Sequence, residues 1–173
     1  MKAWCEMKIQ FGFGKTIFGS TFLALSGDEL VQLSFVPETM EKKELTKLKR
    51  RCPSCEIEKM TSNWTQKHLN ILIPKTFSGH RTSFRLFEQG TVFQRKVWNA
   101  LMAIPAGKTT SYTEIAHKIG QPKAVRAVGA AVGANPVGYL IPCHRVLPKA
   151  GGIGQFEWGP NLKKKMLEFE QAL

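Results

Sequence analysis

The stretch SYTEIAHKIGQPKAVRAVGAAVGAN, residues 111–135, decides the architecture of the second half of the chain. Ser111 lies three residues before Glu114, the spacing at which a cap hydroxyl and a third-position carboxylate satisfy the free backbone donors of a helix start reciprocally. Ile115, Ala116 and Ile119 then fall on one helical face, and Gly120 stops the helix. Gly-Gln-Pro reads as a tight turn, Pro122 suits the first turn of a following helix, and that helix is expected from residue 123 to about 134. Two short helices joined by a three- or four-residue turn with glycine form the helix-turn-helix signature. The same pattern fits two core helices meeting at an ordinary corner. The second helix is rich in Ala and Gly, with Lys123 and Arg126 near its start. It lacks the Asn, Gln and Arg set that reads base edges. Its small side chains would instead let backbone come close to DNA with little sequence preference.

Immediately downstream stands NPVGYLIPCHRVLPK, residues 135–149, in which Cys143 precedes His144. Taken alone, this pair has two readings. Intracellular cysteine is commonly a small buried hydrophobe. It is also the best soft nucleophile a protein carries, provided a base or a positive environment lowers a thiol pKa of about 8.5. Upstream, Thr91 and Gln94 repeat the capping spacing. Phe93, Val97, Ala100, Leu101 and Ile104 form one apolar stripe, most simply core.

The first 90 residues read as a small α/β pattern. MKIQFGFG and TIFGSTFLAL have strand character, and residues 26–29 (SGDE) are a turn leading into LVQLSFV, which makes a hairpin. Residues 39–51 read as a helix through Leu45 and Leu48, EIEKM as a strand, TSNWTQKHLNIL as a helix and TSFRLF as extended chain. A boundary between residues 88 and 89 divides an α/β domain, 1–88, from a mainly helical one, 89–173.

Of 173 residues, 25 are Lys or Arg and 13 Asp or Glu, a net charge of +12. Residues 91–173 carry eleven basic against four acidic residues. Such an excess points to an anionic partner, nucleic acid first, or to a merely basic protein. No secretory h-region and no membrane-length apolar run are apparent. Four cysteines in such a chain favour reduced thiols over a disulfide scaffold.

SYTEIA, PKAVRAVGAAVGANP and PCHRV together resemble the O6-alkylguanine-DNA alkyltransferases (methylated-DNA–protein-cysteine methyltransferases). The resemblance is close over residues 91–173 and weaker over the first 90. It implies a ribonuclease-H-like N-terminal sheet with helices and a C-terminal domain of winged helix-turn-helix type. It implies irreversible transfer of a methyl or larger alkyl group from O6 of guanine, and also from O4 of thymine, to Cys143, once per molecule and without a cofactor. His144 would act as a base through water, Glu170 would orient it (Glu168 is the alternative), Tyr112 would protonate the leaving guanine, and Asn135 would brace the active-site turn. Arg126 would fill the place of the extruded nucleotide, since a target atom inside a stacked duplex cannot be reached in place. Thr113, Gln94, Gln121, Lys123, Ala127, Gly129 and Lys149 would join Tyr112 on double-stranded DNA, approached from the minor groove. Val137, Gly138, Val146, Gln155, Phe156, Glu157 and Trp158 would line the alkyl pocket. The partner is DNA and not a membrane. The protein would be a monomer that can cluster on DNA, in the nucleoid-containing cytoplasm of a prokaryote or the nucleus of a eukaryote.

The chain departs from the family pattern in places. Val92 replaces a common Pro. Gly138 stands where some relatives have Pro. Phe156 stands where Tyr is common, and Glu157 where Ser or Arg is usual. Cys52 and Cys55 have the spacing of half a zinc site, with Cys5 and His80 as further candidates. Four ligands are needed, and the reading favours free thiols over structural zinc. Two other classes stand beside the alkyltransferase. A lesion-binding relative without chemistry lacks the acceptor cysteine, and a Cys-His hydrolase needs a third orienting group.

Overall fold

A computed structural model describes residues 7–73, 85–86 and 90–173. Cys5, His80 and most of the TSFRLF segment lie outside the described residues. The chain divides into two compact units, 1–88 and 89–173.

In the first unit, β1 (Lys8–Thr16), β2 (Gly19–Ser26) and β3 (Glu29–Phe35) form an antiparallel meander. Helix α1 (Glu41–Arg51) leads to β4 (Glu56–Lys59), parallel to β1, and α2 (Ser62–Leu72) precedes β5 (Arg85–Leu86), parallel to β3. The sheet order is β4-β1-β2-β3-β5. The expected hairpin is present, with Ser26 paired to Glu29 across the turn. The strand-like stretch TIFGSTFLAL contains a corner: Thr16 ends β1 and pairs with Gly19. Thr16 Oγ1 accepts from the Phe18 N–H at 3.2 Å, and Gly19 has φ +109°, a conformation glycine reaches without penalty.

Alternation along β1 assigns its two faces. Ile9, Phe11 and Phe13 join Phe22, Ala24 and Val31 in a core covered by Leu48 and Cys52 of α1 and its C-cap. The opposite face presents Gly12 and Gly14 to α2, where a Cβ on Gly12 would fall 2.0 Å from Thr65 Oγ1. Each large apolar side chain buried here contributes about 1.5–3 kcal/mol. Under α1 the polar residues of β3 are buried too. Gln32 donates to Ser34 at 3.0 Å and to Glu44 at 2.5 Å, and Arg51 donates to Gln32 Oε1.

The second unit holds α3 (Val92–Met102), β6 (Thr110–Ser111), α4 (Tyr112–Lys118), α5 (Val125–Gly133), a 3-10 turn (Cys143–Arg145), β7 (Val146–Leu147) and α6 (Pro160–Phe169). Both expected capping boxes are formed, Thr91 with Gln94 and Ser111 with Glu114. Val97, Ala100, Leu101 and Ile104 of the predicted stripe are buried, while Phe93 is half-buried. Helix α5 starts two residues later than expected, and Pro122 lies before it. The Ala124 N–H donates to Gln121 O at 2.9 Å, closing a turn in which Pro122 holds the second position that its fixed φ favours. Trp98 Nε1 donates to Ala131 O at 2.9 Å and ties α3 to α5. The parallel pair β6–β7 matches Thr110 with Val146 and Ser111 with Leu147. This places the end of the Cys143 turn beside the start of α4. Among the described residues no helix is long and apolar enough to cross a membrane.

Candidate active site

After α5 the chain turns back on itself, and Asn135 holds that turn. Its Oδ1 accepts from Val137 N–H at 2.9 Å, and its Nδ2 lies 2.8 Å from Ile141 O, 3.2 Å from Val137 O and 3.2 Å from Cys143 Sγ. A buried Asn with every polar atom used fixes a loop that has no ladder of its own. The Cys143 N–H donates to Ile141 O at 2.7 Å, so the thiol enters on a tight 3-10 turn. Cys143 is 4% exposed. It stands at the wall of a cavity of about 300 Å³ lined also by Tyr112, Gly129, Val132, Asn135 and residues 155–158.

Behind the thiol is a buried charged group. His144 Nε2 lies 3.2 Å from Glu170 Oε1, and both residues are buried. Arg145 grips the same carboxylate with two bonds, Nε to Oε2 and Nη2 to Oε1, each 2.7 Å, and donates through Nη1 to Ile104 O. The ring of Tyr139 stacks on His144 at 5.5 Å and 8°. Tyr139 adopts φ +66°, costly for a residue with a Cβ. His144 Nδ1 has no hydrogen-bond partner among the described residues.

Lys163, also buried, completes the surroundings, its Nζ donating to Val146 O at 2.7 Å. Burial pushes it down to about 8, and the neighbouring Cys143 opposes that fall.

These surroundings set the protonation states. Burial pushes the Cys143 thiol up to about 11, against the lowering effects of the Asn135 hydrogen bond, Lys163 and nearby backbone N–H groups. Burial also lowers His144 below its ordinary value, with Glu170 pulling the other way. Burial alone would raise Glu170, but the bonds to His144 and Arg145 outweigh it and hold the carboxyl at about 2. The resting site is therefore a neutral thiol beside a neutral imidazole that is backed by an ionised carboxylate. An imidazole so placed can take a proton and keep it, because the new charge faces Glu170.

Several sequence-expected residues meet here and others do not. Glu170 faces His144, whereas Glu168 is exposed and pairs with Lys164 at 3.6 Å. Tyr112 lines the cavity, its hydroxyl raised by burial and by the nearness of Cys143. Gln155, Phe156, Glu157 and Trp158 line it too. Val137, Gly138 and Val146 do not, because they are buried under the turn and in the β6–β7 ladder, their backbones spent on Asn135, Leu140 and Lys163. Gly133 takes a place in the lining instead. Arg126, Ala127, Gln121, Lys123 and Lys149 are exposed, Thr113 and Gly129 half-buried. The Gln94 side chain is used at the helix cap, where its Oε1 accepts from Thr91 N–H at 2.8 Å.

The sequence reading missed Arg145, Lys163 and Tyr139. Lys163 was legible: residues 163, 166, 167 and 170 fall at helical spacing and are all buried. It was hidden in a run of three lysines that reads as a solvated face. Cys52 is buried and Cys55 half-buried, and no group of three or more metal-binding side chains occurs among the described residues.

Residues 92–172 match the family model described as "6-O-methylguanine DNA methyltransferase, DNA binding domain". The crystal structure of Mycobacterium tuberculosis O6-methylguanine methyltransferase superposes with a TM-score of 0.73 at 32% identity, covering 95% of this chain and 93% of that one. The chain belongs to the O6-methylguanine DNA methyltransferase family. A crystal structure of Mycobacterium tuberculosis OGT in complex with DNA is similar, with a TM-score of 0.72 and 32% identity over 94% of this chain and 93% of that one. The inducible methylated-DNA–protein-cysteine methyltransferase of Bacillus subtilis is 46% identical over 103 residues, 58% of each chain. Regulatory protein ada of Salmonella typhimurium is 33% identical over 165 residues, 95% of this chain and 46% of that protein. The matched stretch spans about half of the length of such curated relatives.

Proposed function

We propose that this protein repairs DNA by moving a methyl or other alkyl group from O6 of guanine, and from O4 of thymine, in duplex DNA onto its own Cys143. The observation that carries the reading is Cys143 at the wall of an accessible cavity, with the His144–Glu170–Arg145 group directly behind it. His144 takes the thiol proton, through a water at its unpartnered Nδ1, and Glu170 with Arg145 holds the ring for that step. The thiolate, beside Lys163 and the Asn135 amide, attacks the alkyl carbon. The C–O bond breaks, an S–C bond forms, and Tyr112 gives its proton to the departing guanine. The thioether is too poor a leaving group for water to regenerate the thiol, so each molecule acts once and needs no cofactor.

The C-terminal unit is the DNA-binding and acceptor domain, and the N-terminal unit supports it. The meander with parallel edge strands fits a ribonuclease-H-like sheet, and α4–α5 with the β6–β7 pair fits a winged helix-turn-helix. Exposed Arg126 at the start of α5 fills the gap left by the extruded nucleotide, with Lys123, Gln121, Thr113 and Lys149 on the backbone of a duplex approached from its minor groove. The protein acts as a monomer that clusters on DNA, in the cytoplasm or the nucleus according to the cell.

The test is incubation with duplex containing O6-methylguanine, followed by mass spectrometry. One methyl on the Cys143 peptide per molecule is expected, with none on Cys143→Ala, which still binds duplex. Methyl uptake by Cys143→Ala, or repeated turnover, overturns the assignment.

A further inference from the structure

The motif CPSC, residues 52–55, takes no part in the chemistry above. Helix α1 ends at Arg51, and Cys52 is its C-cap, with N–H donated to Leu48 O at 2.9 Å. The chain then makes a β-turn in which the Cys55 N–H donates to Cys52 O at 3.3 Å, and β4 follows from Glu56. Pro53 holds the second turn position, which its fixed φ suits. Cys52 is fully buried in the apolar core, and Cys55 packs against that core while keeping partial exposure. The ends of a β-turn lie within about 7 Å at Cα, and disulfides span Cα separations of roughly 4.4–6.8 Å. The turn thus holds the two Cα atoms at a separation compatible with a disulfide.

We propose that Cys52 and Cys55 form a thiol–disulfide exchange site for low-molecular-weight disulfides such as oxidised glutathione. Cys55, the partly exposed residue of the pair, attacks one sulfur of the small disulfide as thiolate. That S–S bond breaks, a mixed disulfide forms on Cys55, and the departing thiolate takes up the proton Cys55 released. Cys52 then loses its proton and attacks the Cys55 sulfur, and the second small thiol leaves with that proton. The two protein thiols are oxidised to one disulfide while the small disulfide is reduced to two thiols.

The pair differs from one that opens a helix. It follows the C-terminal end of α1, where the partial negative charge of the helix does not favour a thiolate. Burial first, then the neighbouring Cys55, pushes Cys52 up to about 11, and Arg51 opposes them. A thiol so basic attacks slowly and, once bonded, is a poor leaving group. The site therefore closes slowly and reopens slowly. Below that pKa the closing step speeds up by about tenfold per pH unit, following the thiolate fraction. Oxidation ties the end of α1 to the start of β4 and leaves Cys143, in the other unit, untouched.

The experiment treats the full chain with oxidised glutathione at pH 7, 8 and 9, then blocks remaining thiols and maps the peptides without reduction. The expected product is lighter by two hydrogen atoms, carries a Cys52–Cys55 link, and still has an alkylatable Cys143. Cys52→Ser is expected to keep glutathione on Cys55, and Cys55→Ser to react far more slowly than either. A link from Cys5 or Cys143, lasting glutathione on the unaltered chain, or thiols unchanged at pH 9 overturns the proposal. So does one equivalent of zinc that copurifies and protects both cysteines. The unaltered chain decides the matter even where a variant fails to fold.

Discussion

Replacing Glu170 with glutamine isolates the carboxylate that the site is built around. Glu170 sits at about 2 instead of its ordinary value of 4.5, and each pH unit of such a shift is worth about 1.4 kcal/mol. The ionised form therefore contributes about 3 kcal/mol at neutral pH. The sign follows from a depressed folded-state value. This stability is full above 4.5 and is lost as pH falls through 2. Glutamine keeps the shape but leaves Arg145, only 12% exposed at its side chain, facing a neutral amide. Urea unfolding followed by tryptophan fluorescence should show Glu170→Gln less stable by about 3 kcal/mol at pH 7, within the 3–5 kcal/mol typical of a broken buried pair. The gap should shrink to about half by pH 3, because the unaltered protein loses its own advantage there. Alkyl transfer should slow by at least about tenfold, as loss of a positioned base costs roughly 10²–10⁴. Its acid limb should also move to lower pH, since Glu170 is the group that raises His144. A stability difference under about 1 kcal/mol at pH 7, or one that widens on acidification, refutes the reasoning.

Three further outcomes follow from the same geometry. Asn135→Ala removes the amide that meets Val137, Ile141 and Cys143, and should cost about 2–4 kcal/mol in urea unfolding and slow transfer. Lys163→Met removes a cation that lowers the Cys143 thiol, so the rate of methyl uptake at pH 7 should fall about tenfold per unit of thiol shift. Stability should barely change, because the Val146 carbonyl loses a donor while a costly buried ammonium disappears; a loss above about 3 kcal/mol would show a structural role instead. Arg126→Ala should slow transfer from duplex more than from a free alkylated base, and equal losses on both, measured by methyl uptake, would rule out its place in the duplex.

Local chemistry made much of this protein legible before any tertiary structure. The capping pairs Thr91–Gln94 and Ser111–Glu114 name their helix starts because a helix end must satisfy its free N–H groups close by in sequence. The apolar periodicity of α3 gave its buried face for the same local reason. Cys143 and Asn135 stood out from their motif, and the structure places the Asn amide 3.2 Å from the sulfur. What failed were the positions whose role depends on what arrives from elsewhere. Val137 and Val146 turn inward because their backbones are spent on the turn and on the ladder.

The sequence by itself determined the capped starts of α3 and α4, the hairpin at residues 26–29, the basic excess and the Cys-His pair at residues 143–144. Each rests on contacts between near neighbours or on composition. Only the tertiary structure decided between Glu168 and Glu170, brought Arg145 and Lys163 to the site, and set the thiol and imidazole neutral at rest. Those outcomes depend on α6 packing across the Cys143 turn and on the removal of water. Low dielectric then turns a few ångströms of placement into whole units of pKa, and no reading of neighbours along the chain contains that distance.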